Sequence, residues 1–559
     1  MPGDKNRDVI VLRDTKDIED LCREERLSKA QLREKYSTQL DTHSKLLLSH
    51  KPVRSWSGVL VITVVMRPDK FSCPHNCYYC PNEPGQPRSY LSNEPAIARA
   101  NSVNFDAVSQ VHCRLDMLKG NGHTQLDKIE IIVLGGTFSA YPRDYQKEFI
   151  TDLYYALNVY PNKDNPQRGK SDLITEQWIN ETAKVKLIGL SLETRPDHIN
   201  PLEIKRLRMY GCTRVQLGVQ HTDDAILKIV NRGHDNAMSI KAISTLKANG
   251  FKVDLHIMPD LPGCNPEMDK KMMEIVLNSP NYSPDYLKIY PCLDVDFTEI
   301  KKWKESGKWI PYSENDISQL IDVILHAKKH SKYYTRFNRI QRDFSEAKNG
   351  AIGFQSKTIK TNLRQIVQNE AHKQGIACKC IRCCEIKSKR INKNNIQFHI
   401  DTYDASFGIE KYISFYSDNR KTLHGFIRVR FNESNQHVTF NKLKDCALIR
   451  ELHVYGFVKK TRESNSNEIV SDGNQHVGFG KALLAFAEMS AVIKGYRKIA
   501  VISGVGVRNY YRKQGYFLQD EKDGYLVKEI EPWYTPYYIF RAMWYYLTVL
   551  LRVWLLLRS

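Results

Sequence analysis

The stretch Phe71-Ser72-Cys73-Pro74-His75-Asn76-Cys77-Tyr78-Tyr79-Cys80 places three cysteines at C-x3-C-x2-C spacing beside two tyrosines. Iron–sulfur clusters usually have four cysteine ligands, so three thiolates from one loop would leave one iron of a [4Fe-4S] cluster open. The open iron suits the amino and carboxylate groups of S-adenosylmethionine. A structural zinc site is the alternative, but no fourth ligand follows nearby at a matching spacing. The loop therefore predicts an iron–sulfur centre.

Short apolar runs surround this loop and alternate with longer helical patterns, at 59–66, 128–134, 185–192, 214–219, 253–258 and 286–290. Alternating strands and helices predict a parallel sheet that winds into a barrel or part of one, with ligands at the carboxyl ends of the strands. The cysteine loop follows the first run. Gly135 and Gly136 follow the second, where the missing Cβ atoms allow a ligand to approach the backbone. Glu193, Gln216 and His256 lie near later strand ends, either as cofactor contacts or as polar groups filling the barrel.

Composition sets limits on the class of protein. A chain of 559 residues exceeds the size of one hydrophobic core, so at least two domains are expected. Lys and Arg total 83 against 63 acidic residues, and this net charge of +20 favours a polyanionic partner, with nucleic acid as the first candidate. The 13 cysteines and a polar N-terminus without a cleavable signal indicate a reducing, cytoplasmic setting. The segment 15–36 is typical of a solvated amphipathic helix.

The pattern changes between 397 and 531 to strands with polar turns, followed by a glycine-rich turn and a helix. Gln475-His476-Val477-Gly478-Phe479-Gly480-Lys481 precedes an Ala- and Leu-rich helix at 482–493. Backbone amides at a helix N-terminus bind phosphates with help from the helix dipole. Strands are predicted on either side, at 448–455 and 498–502. Alternation along the first of them places Glu451 and His453 on one face.

Motifs along nearly the whole chain resemble those of the family of Elongator catalytic subunits, which are tRNA-modifying acetyltransferases, and the cysteine loop is the radical-SAM signature of that family. The remaining matches are Lys51-Pro52-Val53-Arg54, Gly135-Gly136-Thr137-Phe138, Leu192-Glu193-Thr194-Arg195-Pro196-Asp197, Asn231-Arg232-Gly233-His234, Met258-Pro259-Asp260-Leu261-Pro262, Lys288-Ile289-Tyr290-Pro291, Ile449-Arg450-Glu451-Leu452-His453-Val454-Tyr455-Gly456 and Asn509-Tyr510-Tyr511.

This resemblance implies an α/β protein with five regions. They are an N-terminal tRNA-contacting region at 1–50, a partial TIM-like radical-SAM barrel at 51–345, a basic linker at 346–396, a GNAT acetyltransferase domain at 397–531 and a hydrophobic tail at 532–559. In the linker, the resemblance implies a structural zinc on Cys378, Cys380 and Cys383. The fourth ligand stays open between Cys384, His372 and a distant residue, and free thiols are the alternative.

The resemblance also implies where the cofactors bind. Gly135 and Gly136 would lie against the methionyl amino group of S-adenosylmethionine, and Glu193 would contact the same cofactor. Acetyl-coenzyme A would bind the glycine turn with its pyrophosphate and the strand backbone with its pantetheine arm, and Lys128 would reach it from the barrel. The residues implied for the coenzyme are Lys128, Glu451, Leu452, His453, Val454, Gln475, Gly478, Phe479, Gly480, Lys481 and Tyr511, with Tyr510, Tyr511 and Glu451 as the catalytic candidates.

The tail beyond 530 is dominated by Tyr, Trp, Leu and Val, with basic residues only at Arg541 and Arg552. A spanning helix needs roughly 20 apolar residues, and aromatic residues favour a membrane boundary. An interfacial helix and a helix docked on a partner protein are the alternatives. We predict membrane attachment, with the catalytic modules facing the cytosol.

The functional hypothesis is carboxymethylation of the wobble uridine of tRNA. A 5′-deoxyadenosyl radical from S-adenosylmethionine would remove hydrogen from the acetyl methyl group of acetyl-coenzyme A, the carbon radical would add to C5 of uridine, and hydrolysis would release coenzyme A. Two alternatives stay open: a lysine acetyltransferase acting on proteins and a membrane-tethered tRNA-binding subunit. Other Elongator subunits and a second copy of the chain are candidate partners.

Overall fold

The computed structural model describes residues 15–37, 57–70, 73–123, 125–347, 352–356, 358–387, 395–456 and 478–555, together with positions 12, 39–40, 44 and 48–49. Within these residues the chain forms two seven-stranded sheets, one after the other in sequence.

The first sheet is parallel throughout, and its spatial order follows the sequence from β1 to β7. Its edge strands β1 and β7 do not pair, so the sheet is an open half-barrel, which confirms the expected α/β fold. Its strands are β1 (Leu60–Val65), β2 (Lys128–Leu134), β3 (Lys186–Thr194), β4 (Arg214–Gln220), β5 (Lys252–Ile257), β6 (Tyr286–Ile289) and β7 (Arg336–Ile340).

Helices fill the connections between these strands and cover the sheet, as right-handed βα crossovers require. Those up to the end of the linker are α1 (Thr15–Glu24), α2 (Lys29–Lys35), α3 (Pro95–Asn101), α4 (Ala107–Gly120), α5 (Arg143–Val159), α6 (Leu173–Asn180), α7 (Pro201–Met209), α8 (Asp224–Ile229), α9 (Asn236–Ala248), α10 (Pro266–Asn278), α11 (Glu299–Glu305), α12 (Tyr312–Asn315), α13 (Ile317–Lys329), α14 (Leu363–Lys373) and α15 (Ile381–Cys384).

The N-terminal segment expected as one helix is two. Ser28 begins α2 with a reciprocal capping box, in which its hydroxyl accepts from the backbone N–H of Gln31 and the Gln31 side chain accepts from the backbone of Ser28. Ile18 and Leu32 are fully buried in a small apolar cluster of this segment. Arg33 Nη2 donates to the carbonyl of Gly120 at 3.0 Å, which attaches the segment to the end of α4.

The second sheet has the order β13-β14-β12-β11-β10-β9-β8. All neighbours are antiparallel except β11 and β12, which are parallel. Its elements are β8 (Gln397–Asp404), β9 (Gly408–Ser417), β10 (Thr422–Asn432), β11 (Ala447–Val454), α16 (Phe479–Ile493), β12 (Lys498–Ile502), α17 (Arg508–Arg512), β13 (Phe517–Leu518), β14 (Tyr525–Glu529) and α18 (Thr535–Leu555).

A buried ionic network joins the two sheets. Arg450 is the extra residue of a bulge, because Arg428 pairs with Glu451 while Val429 pairs with Ile449. The bulge directs the Arg450 guanidinium to Asp285, immediately before β6, at 3.0 Å from Nη1, and to Glu410 on β9 at 2.8 Å. The side chains of all three residues are fully buried. We call the part of the chain that forms the first sheet the first module and the part that forms the second sheet the second module. The two modules are therefore connected by charges that have no access to water.

The tail is a helix docked on the second sheet. Tyr538, Ala542 and Val549 of α18 are buried in the same apolar cluster as α16. The opposite face of α18 is exposed, and its large apolar residues are Tyr537, Ile539, Phe540, Met543, Trp544, Leu547 and Leu551. In the part of the chain that the structure describes, no helix combines the length and apolarity needed to cross a bilayer. The predicted membrane anchor is thus packed along one side against the protein itself.

Candidate functional site

The cysteine loop lies at the carboxyl end of the half-barrel, directly after β1. The side chains of Arg195, which follows β3, and Arg232, which follows α8, each donate an Nη1 hydrogen bond to Cys77 Sγ at 3.5 Å. Both arginines and Cys77 are buried. Burial alone would raise the pKa of the Cys77 thiol, but Arg232 and Arg195 hold that pKa below its ordinary value. The site therefore favours an anionic sulfur at Cys77.

The spacing of the sulfur atoms differs between the two cysteine groups of the chain, the loop at 73–80 and the group of Cys378, Cys380 and Cys383. Zn–S bonds of about 2.3 Å place the ligands of one zinc ion within about 4.6 Å of one another. Among the described residues, the Sγ atoms of Cys378, Cys380 and Cys383 all lie within 4.8 Å of one another, whereas the three cysteines of the loop at 73–80 do not form such a group. Cys378, Cys380 and Cys383 therefore have the spacing of ligands to a single ion.

Polar side chains line the strand ends beside the loop. Glu193 on β3 pairs in register with Gln216 on β4. Glu193 accepts a hydrogen bond from the Tyr90 hydroxyl at 2.7 Å, and its carboxylate lies 3.7 Å from Nδ1 of His256 on β5. Nε2 of the buried His256 has no hydrogen-bond partner among the described atoms. Burial, with Lys288 nearby, lowers the His256 pKa well below its usual range, so the ring is neutral.

The two glycines after β2 lie in the same region and have backbone conformations that favour glycine, with φ of 140° at Gly135 and 84° at Gly136. A Cβ atom on Gly135 would lie 2.8 Å from the Tyr141 hydroxyl and 3.2 Å from Cβ of Met66. The sequence-predicted glycines, Glu193, Gln216 and His256 are therefore brought to the edge of the sheet that carries the cysteine loop.

The second cysteine group lies between the two modules. The backbone N–H of Ile381 donates to the carbonyl of Thr335 next to β7, and Glu385 forms an isolated bridge with Leu423 of β10. Hydrogen bonds from Cys378 and Cys380 lower the pKa of the Cys383 thiol, which favours a thiolate in this group. Cys384 and His372, the predicted fourth-ligand candidates, are not members of the group.

The second module presents a strand with an open edge. Parallel pairing of β11 with β12 covers only Ala447, Leu448 and Ile449, while β11 continues to Val454 alongside β10. The backbone of 452–454 consequently has no partner in β12. Helix α16 begins beside this edge with Gly478 as its N-cap at φ 100°, and a Cβ on Gly480 would lie 3.0 Å from the Tyr510 hydroxyl. Gln475 lies outside the described residues.

The catalytic candidates of this module have different surroundings. Glu451 accepts from Arg428 Nε at 2.8 Å and from the Tyr286 hydroxyl of the first sheet. Burial opposes ionisation of Glu451, but Arg428 holds its pKa below the ordinary value, so Glu451 is a carboxylate already paired with a cation. The Tyr510 hydroxyl is buried without a partner among the described residues, and burial raises its pKa to about 12. Tyr511 is buried in the core.

The remaining coenzyme candidates lie on both sides of the junction between modules. His453 faces the carbonyl of Ser57 with Nε2 at 3.1 Å, and Lys481 is exposed on the first turn of α16. Lys128 opens β2, in register with Lys186 on β3. A Cβ on Gly506, in the loop before α17, would lie 2.6 Å from Cβ of Lys186. Because Lys128 pairs with Lys186, the start of β2 also lies near the second module.

Sequence reasoning missed the roles of Arg195 and Arg232. Both stand in motifs that support the family resemblance, but they lie 118 and 155 positions from Cys77 along the chain. A buried arginine requires an anionic partner, but the sequence does not show that Arg232 is buried.

Comparison with known proteins agrees with this geometry. The Radical SAM superfamily matches residues 71–276. The chain is 38% identical over 498 residues to the tRNA uridine(34) acetyltransferase of Methanocaldococcus infernus, covering 86% of this chain and 88% of the relative. It is 33% identical to Elongator complex protein 3 of Homo sapiens, covering 87% and 86%. The structure of the archaeal Methanocaldococcus infernus Elp3 with an N-terminal deletion superposes with a TM-score of 0.68 at 34% identity, covering 85% of this chain and all of that one.

Proposed function

The chain belongs to the family of tRNA uridine(34) acetyltransferases and Elongator complex protein 3, and on this premise we propose that it forms the carboxymethyl group at C5 of the wobble uridine of tRNA from acetyl-coenzyme A. The first module, at 51–345, carries the radical chemistry, and the second, at 397–531, binds the coenzyme as a GNAT domain. The region 1–50 and the basic surface bind tRNA.

Cys73, Cys77 and Cys80 hold a [4Fe-4S] cluster in this proposal. The donor set fits, because two buried guanidiniums face one of the sulfurs and favour its thiolate. With S-adenosylmethionine bound, a cluster held by these cysteines would supply radical chemistry at the acetyl methyl group. Gly135 and Gly136 leave room for the methionyl group, and Glu193 accepts hydrogen bonds beside it. The neutral His256 contributes an uncharged wall.

The open edge of β11 is the observation that carries the coenzyme proposal. Backbone groups left without a strand partner require another hydrogen-bonding chain, and the amide-containing pantetheine arm is one. The Gly478 turn at the start of α16 receives the pyrophosphate, since helix N-termini bind anions. Lys128 approaches from the barrel. Tyr510 donates its unpaired hydroxyl to the thioester, while Glu451 positions Arg428 and Tyr286 rather than accepting a proton.

A structural zinc on Cys378, Cys380 and Cys383 belongs to the proposal as well. Three sulfurs within 4.8 Å match tetrahedral coordination by a single ion. The ion would fix the segment that connects β7 with β10, and therefore the orientation of the two modules.

Nucleoside analysis of tRNA tests the function. The purified protein is incubated anaerobically with tRNA, S-adenosylmethionine, a reductant and acetyl-coenzyme A labelled in the methyl carbon, and nucleosides are identified by mass spectrometry. We expect label in 5-carboxymethyluridine. Gly478→Glu with Gly480→Glu should abolish the product and coenzyme binding, because side chains and negative charge would occupy the phosphate site.

The control for this double variant is Gly495→Glu, since Gly495 lies in the turn after α16 with open space around the Cβ position. That variant tests the effect of a new carboxylate outside the site. Label in protein lysines with none in tRNA would instead identify a protein acetyltransferase and refute the proposal.

tRNA binding is tested by its dependence on salt. A surplus of basic residues acts on phosphates by releasing counterions, so affinity should fall steeply as salt rises. Binding that stays constant between low and moderate salt would contradict a role of the basic surface.

A further inference from the structure

The C-terminal helix α18 forms one side of a basic cavity beside the glycine turn. The cavity has a volume of about 490 Å³. Lys481 of α16, Lys513 after α17 and Lys528 of β14 line it from the second sheet, and Tyr537, Arg541 and Tyr545 line it from α18. Half of the residues that line the cavity therefore belong to the tail.

The charge of this cavity is positive after internal pairing. Glu488 of α16 is fully buried and accepts hydrogen bonds from Lys528 Nζ at 2.9 Å and from Arg541 Nη1. Lys481 and Lys513 form no ion pair within the described residues. Four cations thus face one carboxylate, and the surplus favours a ligand with more than one negative charge.

The position of α18 relates the cavity to the phosphate turn. A Cβ on Gly478 would lie 3.7 Å from both Val549 Cγ2 and Arg552 Nη1 of α18. The helix therefore passes directly beside the turn, and the cavity continues from the first turn of α16, where Lys481 stands. A ligand with its pyrophosphate on the turn would extend its next group into the cavity.

We propose that α18 is a wall of the coenzyme site and that the cavity binds the adenosine 3′-phosphate of coenzyme A, with Lys481, Lys513 and Arg541 facing the phosphate. This rests on the proposed function, which places the pyrophosphate at Gly478. The 3′-phosphate is the terminal dianion of coenzyme A, and it matches the positive charge of a cavity that begins at Lys481, in the helical turn after Gly478. The tail is then a part of the cofactor site.

Calorimetry with coenzyme A and 3′-dephospho-coenzyme A tests the inference on the full-length protein. We expect wild type to bind coenzyme A about tenfold more tightly than the dephospho form, because the 3′-phosphate gains charge-assisted hydrogen bonds. The difference is no larger because solvent screens these partly exposed contacts. Lys513→Gln should reduce this ratio to about threefold or less. Arg541→Gln should reduce it as well, and because this change also removes a hydrogen bond to the buried Glu488 it is compared with Arg541→Lys. Arg541→Lys should retain the ratio because it keeps the cation.

Lys494→Gln is the matched control, since it removes the same charge at the opposite end of α16. Equal binding of the two ligands by wild type, with both still dependent on Gly478, would refute the cavity assignment and leave the proposed function standing. Absence of binding by either ligand would overturn both. Tighter binding of coenzyme A by a folded variant truncated before Trp533 would also overturn the inference, because α18 would then block the site.

Discussion

Replacement of Arg450 by methionine should destabilise the protein by about 3 kcal/mol, because it leaves two buried carboxylates without their shared cation. Removing one member of a buried ion pair costs about 3–5 kcal/mol. The lower value applies here, because both carboxylates retain a partner. Asp285 still accepts a hydrogen bond from the backbone N–H of Val253 at 2.8 Å, and Glu410 still forms a salt bridge with Lys247 at 3.4 Å. Urea unfolding monitored by circular dichroism measures the loss.

The pH dependence has a definite sign. Burial opposes ionisation of Asp285 and Glu410, yet Arg450 and neighbouring cations hold both pKa values below the ordinary range. Their contribution to stability is therefore full above the unfolded pKa values of about 4 and is lost as pH falls through the folded ones. The difference between wild type and Arg450→Met should shrink as pH falls toward and below about 4, because without Arg450 burial raises the pKa values of both acids and the variant protonates them before wild type does.

Two further variants make the result specific. Arg497→Met removes an exposed arginine from the same module and should change stability by less than about 0.5 kcal/mol. Asp285→Asn combined with Arg450→Met should cost less than the sum of the single changes, since the residues are in direct contact. An Arg450→Met protein that unfolds at the wild-type urea concentration would refute the reasoning.

The remaining predictions concern metals and the tail. Cys77→Ala should lose iron in anaerobically reconstituted protein, and full iron occupancy would end the cluster assignment. Arg232→Gln should make the cluster harder to reduce, because a cation near the sulfur favours the more negative reduced state. Redox titration followed by electron paramagnetic resonance should show a lower midpoint potential, by about 59 mV for each tenfold change in the equilibrium constant of reduction. Cys380→Ser should release zinc in elemental analysis without loss of iron. Phe540→Ser with Trp544→Ser should weaken flotation with anionic vesicles, because both side chains lie on the exposed face of α18; wild type that does not float would contradict membrane contact.

The sequence predicted local features well and long-range contacts poorly. The strand at 128–134 coincides with β2 because a run rich in Ile, Val and Leu is bounded by Lys128 and a glycine pair. The strand β7 was missed, since Arg336-Phe337-Asn338-Arg339-Ile340 holds only two apolar residues and is stabilised by pairing with β6. Propensity does not report such tertiary pairing.

The tail shows the same limit. Its apolar composition is compatible with lipid, with a partner and with the protein's own surface, and hydropathy does not distinguish among them. The choice depends on whether another surface offers complementary packing, and α16 offers one for Tyr538, Ala542 and Val549.

The loop before α17 has a mechanical consequence for the barrel. A Cβ on Gly504 would lie 2.0 Å from the carbonyl oxygen of Ile188 in β3, so the loop backbone rests against that strand without an intervening side chain. The same loop leads to Tyr510, and β3 leads to Glu193. If the proposed coenzyme site is occupied, amide hydrogen exchange along β3 should therefore slow, because the two backbones are in direct contact.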